Sequence, residues 1–184
     1  WSQVKVLGTT NTYLYTATIY DDKGKPIQIQ SKNITGGIDV ATTQYSWSGQ
    51  PLVTVQKQDK QGTPTQVHIV VTKNNYDDLG RLLNVRKSVN STINTTPPII
   101  INKPELEIVN NQYDKLGQLV LKNIGKKKIA GTENYTNDPI ESLAYDYNIR
   151  GWMLGMNRAY LATTGQSGST KFGFEVAYDK LTGS

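Results

Sequence analysis

Residues able to carry acid–base, nucleophilic or metal chemistry are few in this chain of 184 residues. The one histidine, His68, stands in Val67-His68-Ile69-Val70-Val71, a β-branched run that makes it a strand residue rather than a general base in a cleft. Cysteine is absent, which removes thiol nucleophiles, disulfides and metal sites built on His and Cys. Asp21, Asp22, Asp77, Asp78 and Asp114 offer the oxygen ligands calcium takes, but they recur at separate places and not within one loop. No catalytic, cofactor-binding or metal-ligating set emerges, and the chain reads as a non-enzyme without cofactors. Two aromatic residues invite a different chemistry. Trp47 and Trp152 occupy or adjoin turns among Asn, Gln and Thr, where an exposed indole stacks on a sugar face. The competing role is packing onto a neighbouring element, with the indole N–H bonded to a carbonyl.

The turns that hold these residues form a repeat. Tyr76-Asp77-Asp78-Leu79-Gly80 is the clearest copy, beside Tyr20-Asp21-Asp22-Lys23-Gly24 and Tyr113-Asp114-Lys115-Leu116-Gly117. Tyr45-Ser46-Trp47-Ser48-Gly49 and Tyr147-Asn148-Ile149-Arg150-Gly151 vary the acidic position, and Tyr178 to Gly183 is a degenerate sixth copy. The tyrosines lie 25, 31, 37, 34 and 31 residues apart, the spacing of a supersecondary unit copied end to end. Asp, Ser or Asn at the first place of a four-residue turn bonds back to the backbone, and Gly at the fourth supplies the left-handed conformation. Turn formation alone therefore accounts for Asp21, Asp77 and Asp114. An aliphatic residue follows three places after each Gly: Ile27, Leu52, Leu83, Val120 and Leu154. With Ala17-Thr18-Ile19-Tyr20 or Glu105-Leu106-Glu107-Ile108-Val109 before the turns, each copy predicts one β-hairpin. A lone hairpin is marginal, so the copies must pair side by side.

Composition sets limits. Hydrophobic residues are 36% of the chain, and Thr, Asn and Gln fill 48 positions, too polar for a thick core and suited to a sheet wetted on one face. No run approaches the roughly 20 apolar residues of a membrane helix. The net charge of +5 includes one dense run, Lys126-Lys127-Lys128, without the interleaved aromatics of a nucleic-acid groove. Linkers are expected at 58–66, 88–104, 124–139 and 163–171, and Met153 to Ala162 is the best helix candidate, weakened by Gly155. Four Asn-x-Ser/Thr matches, among them Asn33-Ile34-Thr35, are assigned no role.

The motif Tyr76-Asp77-x-x-Gly80-Arg81-Leu82 resembles the YD repeat of bacterial Rhs proteins, insecticidal toxin complexes and the teneurin ectodomain. Tyr145-Asp146-Tyr147-Asn148-Ile149-Arg150-Gly151-Trp152 is similar to a variant common in large surface-associated Rhs-type proteins of the Bacteroidetes. The likeness runs from about Thr16 to Gly183. Lys25, Gln50 and Gln118 depart from the usual Arg, and Ser46 and Asn148 from the Asp. The resemblance implies successive hairpins coiling into a β-shell, which in the toxin members encloses a C-terminal cargo. The Asp-Pro-x-Gly-Leu core of the segment that frees such cargo is not matched, since Ile140-Glu141-Ser142 follows Asp138-Pro139.

The expectation is an all-β fold in which tandem hairpins form one curved, mainly antiparallel sheet, with residues 1–184 a single array cut from a longer chain. Motif copies fall near 20–27, 45–52, 76–83, 113–120, 147–154 and 178–183. The expected role is a non-catalytic wall segment of a secreted or cell-surface bacterial protein. Its partners would be adjacent repeats and a cargo domain of its own parent chain, and the open sheet edges would favour self-association. The alternative is a carbohydrate-binding adhesion module using Trp47 and Trp152.

Overall fold

A computed structural model describes residues 1–162 and 171–178. Twelve strands account for nearly all regular structure: β1 (Ser2–Lys5), β2 (Tyr13–Tyr20), β3 (Pro26–Lys32), β4 (Ile38–Tyr45), β5 (Pro51–Lys60) and β6 (Gln66–Tyr76). They continue as β7 (Leu82–Ile93), β8 (Ile99–Tyr113), β9 (Leu119–Ile124), β10 (Glu141–Tyr147), β11 (Met153–Met156) and β12 (Phe174–Glu175), with one helical turn, α1 (Ala159–Ala162). Strand order in the sheet is the order in the chain, from β1 to β12. The fold is all-β, an antiparallel sheet of hairpins. No helix among the described residues is long and apolar enough to cross a membrane.

The chain divides into two compact units. The first comprises Trp1–Gly80 and Arg86–Leu106, the second Arg81–Val85 and Glu107–Ser184.

In the first unit the register shows why the composition is so polar. One face carries the row Gln28, Thr42, Val55, Val71, and the other the row Ile29, Ala41, Gln56, Val70. Each face thus mixes apolar with polar residues, and neither forms the continuous apolar surface that a packed second layer would need. Ile19, Ile29 and Ile38 are exposed accordingly. Stability rests on ladder hydrogen bonds and cross-strand neighbours, each worth roughly 0.2–1 kcal/mol. Among described apolar residues only Met156, in the second unit, is buried.

The turn joining β3 and β4 has no tyrosine and was not legible as a motif, yet it is built like the motif turns. Asn33 Oδ1 accepts from the amides of Thr35 and Gly37, and Gly36 has φ +89°. Asn33 Nδ2 donates to the Asp59 carbonyl at 2.7 Å and to Asp39 Oδ1 at 3.0 Å, tying this turn to the end of β5. Gly37 is buried against that carbonyl, where any Cβ would collide with it.

Two expected linkers are shorter than their composition suggested. β5 and β6 leave only 61–65 between them, and β8 runs straight through Pro104. Side chains meet across the strands there: Glu105 contacts Lys73 Nζ at 2.6 Å and Arg86 Nη1 at 3.7 Å.

In the second unit the Met153–Ala162 helix candidate resolves into a strand and one helical turn. Asn157, at φ +48°, ends β11. Its amide and Oδ1 pair with both backbone groups of Ala144, and its Nδ2 donates to the Phe172 carbonyl. The segment 163–170 and Asp179–Gly183 of the sixth motif copy lie outside the described residues.

Candidate functional site

The five described motif turns share one geometry. Gly24, Gly49, Gly80, Gly117 and Gly151 have φ between +78° and +92°, the left-handed region where a Cβ is strained. The amide of each donates to the carbonyl at the turn's first place, on Asp21, Ser46, Asp77, Asp114 or Asn148. The first side chain turns inward as well. Asp21 Oδ1 takes the amides of Lys23 and Lys25, Asp114 Oδ1 those of Leu116 and Gln118, and Asn148 Oδ1 those of Arg150 and Trp152. Asp77 takes Leu79, and Ser46 Oγ takes Gln50. These carboxylates are committed to the backbone, and among the described residues no cluster of three or more acidic or histidine side chains could hold a metal.

The motif tyrosines make a second set of bonds, from one copy to the copy before it. Tyr45 donates its phenol to the carbonyl of Pro26 at 3.1 Å, and Tyr76 to that of Pro51 at 3.1 Å. Tyr113 reaches Leu82 and Tyr147 reaches Leu119, both at 3.0 Å. In every case the acceptor stands two places after the preceding copy's glycine. Asn74 and Asn111, two places before their tyrosines, donate to the same Pro51 and Leu82 carbonyls. Burial pushes the Tyr147 phenol above its ordinary range, aided by Tyr145 and Asp114, so it stays protonated as a donor.

A third contact uses the residue just after each glycine. The place a Cβ would take on Gly49 lies 2.7 Å from Lys25 Nζ, on Gly80 2.6 Å from Gln50 Nε2, on Gly117 3.1 Å from Arg81, and on Gly151 2.9 Å from Gln118. Lys25 also lies over the Tyr45 ring at 5.7 Å, and Arg81 over Tyr113 at 4.7 Å. The sequence shows the residue types at this position but not their reach. Turn geometry alone gives them no task, whereas here each one covers the next copy.

Trp152 holds that same post-glycine place. Its ring lies 5.3 Å from Tyr178 of the sixth copy and 5.6 Å from the Arg150 guanidinium. Trp47 differs. It sits inside its turn, is 88% exposed, and carries the Lys23 ammonium 3.5 Å from its ring centroid. An open groove of about 600 Å³ runs beside it, lined by Ile19, Lys25, Gln28, Thr42 and Tyr45 among others. Trp47 belongs to the first unit and Trp152 to the second.

His68 Nδ1 lies 2.9 Å from Ser91 Oγ on β7, and Nε2 lies 3.3 Å from Gln66 Oε1. A base touches a nucleophile at such a distance. Here, however, Ser91 is only 7% exposed and lines none of the described grooves. The contact serves as a cross-strand hydrogen bond. A comparison with protein-family models found no match to this chain, and a search of curated proteins found none either.

Proposed function

We propose that this chain is a non-catalytic wall segment of a YD-type β-shell in a large secreted or surface-displayed bacterial protein, enclosing or presenting a C-terminal cargo domain. The observation that carries this reading is the tyrosine ladder, in which four successive copies each bond the copy before. A chain in which four successive copies each read their predecessor is built to extend a surface. Among the described residues the motif Asp, Ser and Asn side chains serve the turns and the motif tyrosines serve copy-to-copy contacts, which supports a structural role. Negative-stain imaging of the full-length protein, with limited proteolysis, tests the reading. A hollow particle protecting a C-terminal fragment is expected. An open or extended particle with no protected fragment overturns it.

One observation favours a second reading. Trp47 stands exposed beside a groove with Gln28, Thr42 and Gln44 in its lining, which suits a carbohydrate-binding adhesion module. Trp152 is less suited, because Tyr178 occupies part of its ring. On a glycan array probed with the full-length protein, Trp47→Ala should abolish a signal that Trp152→Ala retains. Absence of binding, or binding unchanged by Trp47→Ala, removes this reading.

A further inference from the structure

Two ladders run through the motif copies, and both stop at the same place. Tyr45, Tyr76, Tyr113 and Tyr147 each donate to a carbonyl of the preceding copy, whereas no described residue accepts from Tyr20, which is 58% exposed. Gly49, Gly80, Gly117 and Gly151 are each covered by the side chain after the previous glycine, whereas nothing lies within 4 Å of the Cβ position on Gly24. The sheet is incomplete at that point too. β1 pairs only with Tyr13–Thr16, so the β1 side of Ala17–Tyr20 has no strand beside it among the described residues.

The register says what fits there. Gln28 lies across from Thr42, which places Pro26, the acceptor of Tyr45, across from Gln44, the residue before that tyrosine. The same holds for Pro51 and Asn75 from the Val53–Lys73 pairing, and for Leu119 and Asp146 from the Ala144–Leu121 pairing. On β2, Ser2 lies across from Thr16, so the position facing Ile19 is two residues upstream of Trp1.

We infer that Tyr20, Gly24 and the open half of β2 form a docking surface for the segment that immediately precedes Trp1 in a longer chain, paired antiparallel as an upstream extension of β1. The residue two before Trp1 gives its carbonyl to the Tyr20 phenol. The residue three before is long and polar or aromatic, and covers Tyr20 and Gly24. A glycine stands four before, closing one more motif turn. The inference rests on reading the chain as part of a longer repeat wall. An unrelated peptide would satisfy the backbone of β2 but would not supply both contacts in this register.

Hydrogen exchange on the full-length protein tests it. The Ala17–Tyr20 amides not bonded to β3 should exchange as slowly as the paired amides of β4, at a rate independent of protein concentration. Tyr20→Phe should speed their exchange about five-fold, the worth of one hydrogen bond, and leave β4 unchanged. Tyr20→Trp, which keeps the aromatic body but misplaces the donor, should do the same. Rapid exchange at these amides overturns the inference, as does insensitivity to both substitutions. Protection that fades on dilution, with dimers in sedimentation, also overturns it by giving the edge to a second copy. A residue other than glycine at the fourth position before Trp1 overturns the register. Protection with an unclosed particle would sink the shell reading alone, and a closed particle with Tyr20 insensitive would sink this inference alone.

Discussion

The tyrosine and the glycine of the motif act through different physics, and single substitutions separate them. The Leu82 carbonyl receives Asn111 as well as Tyr113, so Tyr113→Phe leaves the acceptor served and should cost under about 1 kcal/mol. Tyr145 stands where that asparagine would be for Tyr147, so Tyr147→Phe should cost more, about 1–1.5 kcal/mol by urea unfolding. Equal losses would mean that the asparagine plays no part in satisfying the carbonyl. Gly80→Val is expected to cost about 2 kcal/mol, because φ +79° is hostile to a β-branched residue. The space is not the obstacle, since the one group in the way is the mobile end of Gln50. A fully stable Val variant would contradict the left-handed turn. The glycine was legible in the sequence because turn chemistry is local. The acceptor carbonyls were not, because a backbone oxygen 19 to 31 residues away leaves no mark on residue type.

At the scale of strands, Glu105 on β8 meets Lys73 on β6 and Arg86 on β7, a charge contact spanning three strands. The Lys73 ammonium bonded to Glu105, with Arg86 beside it, holds that carboxyl below its ordinary range. A carboxyl whose folded value is depressed contributes stability above its unfolded value and loses it as pH falls through the folded one. Acid should therefore loosen this pairing first, read as lower hydrogen-exchange protection factors in β8, corrected for the intrinsic rate at each pH, below the ordinary carboxylate range. Glu105→Gln should flatten that pH response, and salt should weaken it. A wild-type profile indistinguishable from the variant's would dismiss the charge pairing. Composition placed Ser88 to Pro104 among the loops because proline and asparagine weigh against strand. It could not show that Glu105 meets two cations across neighbouring strands. The Met153–Ala162 segment failed for a related reason. Asn157 bonds three backbone groups of Ala144 and Phe172, and those partners lie far along the chain.

For the molecule as a whole, the scarcity of buried apolar residues has a calorimetric signature. Ordinary domains gain about 12–15 cal/mol/K per residue on unfolding, mostly from apolar exposure. With Met156 the one buried apolar residue among those described, the increment here should fall below that range. A value inside it would require a partner covering one face of the sheet. The directed ladder also has a genetic meaning. Each copy asks of its predecessor only a carbonyl two places past a glycine and a long side chain one place past it. A recombination event that joins one motif turn to another in frame leaves both contacts standing at the junction. An in-frame deletion of the span from one motif turn to the next is therefore expected to give a shorter chain that still folds, read as a retained cooperative unfolding transition.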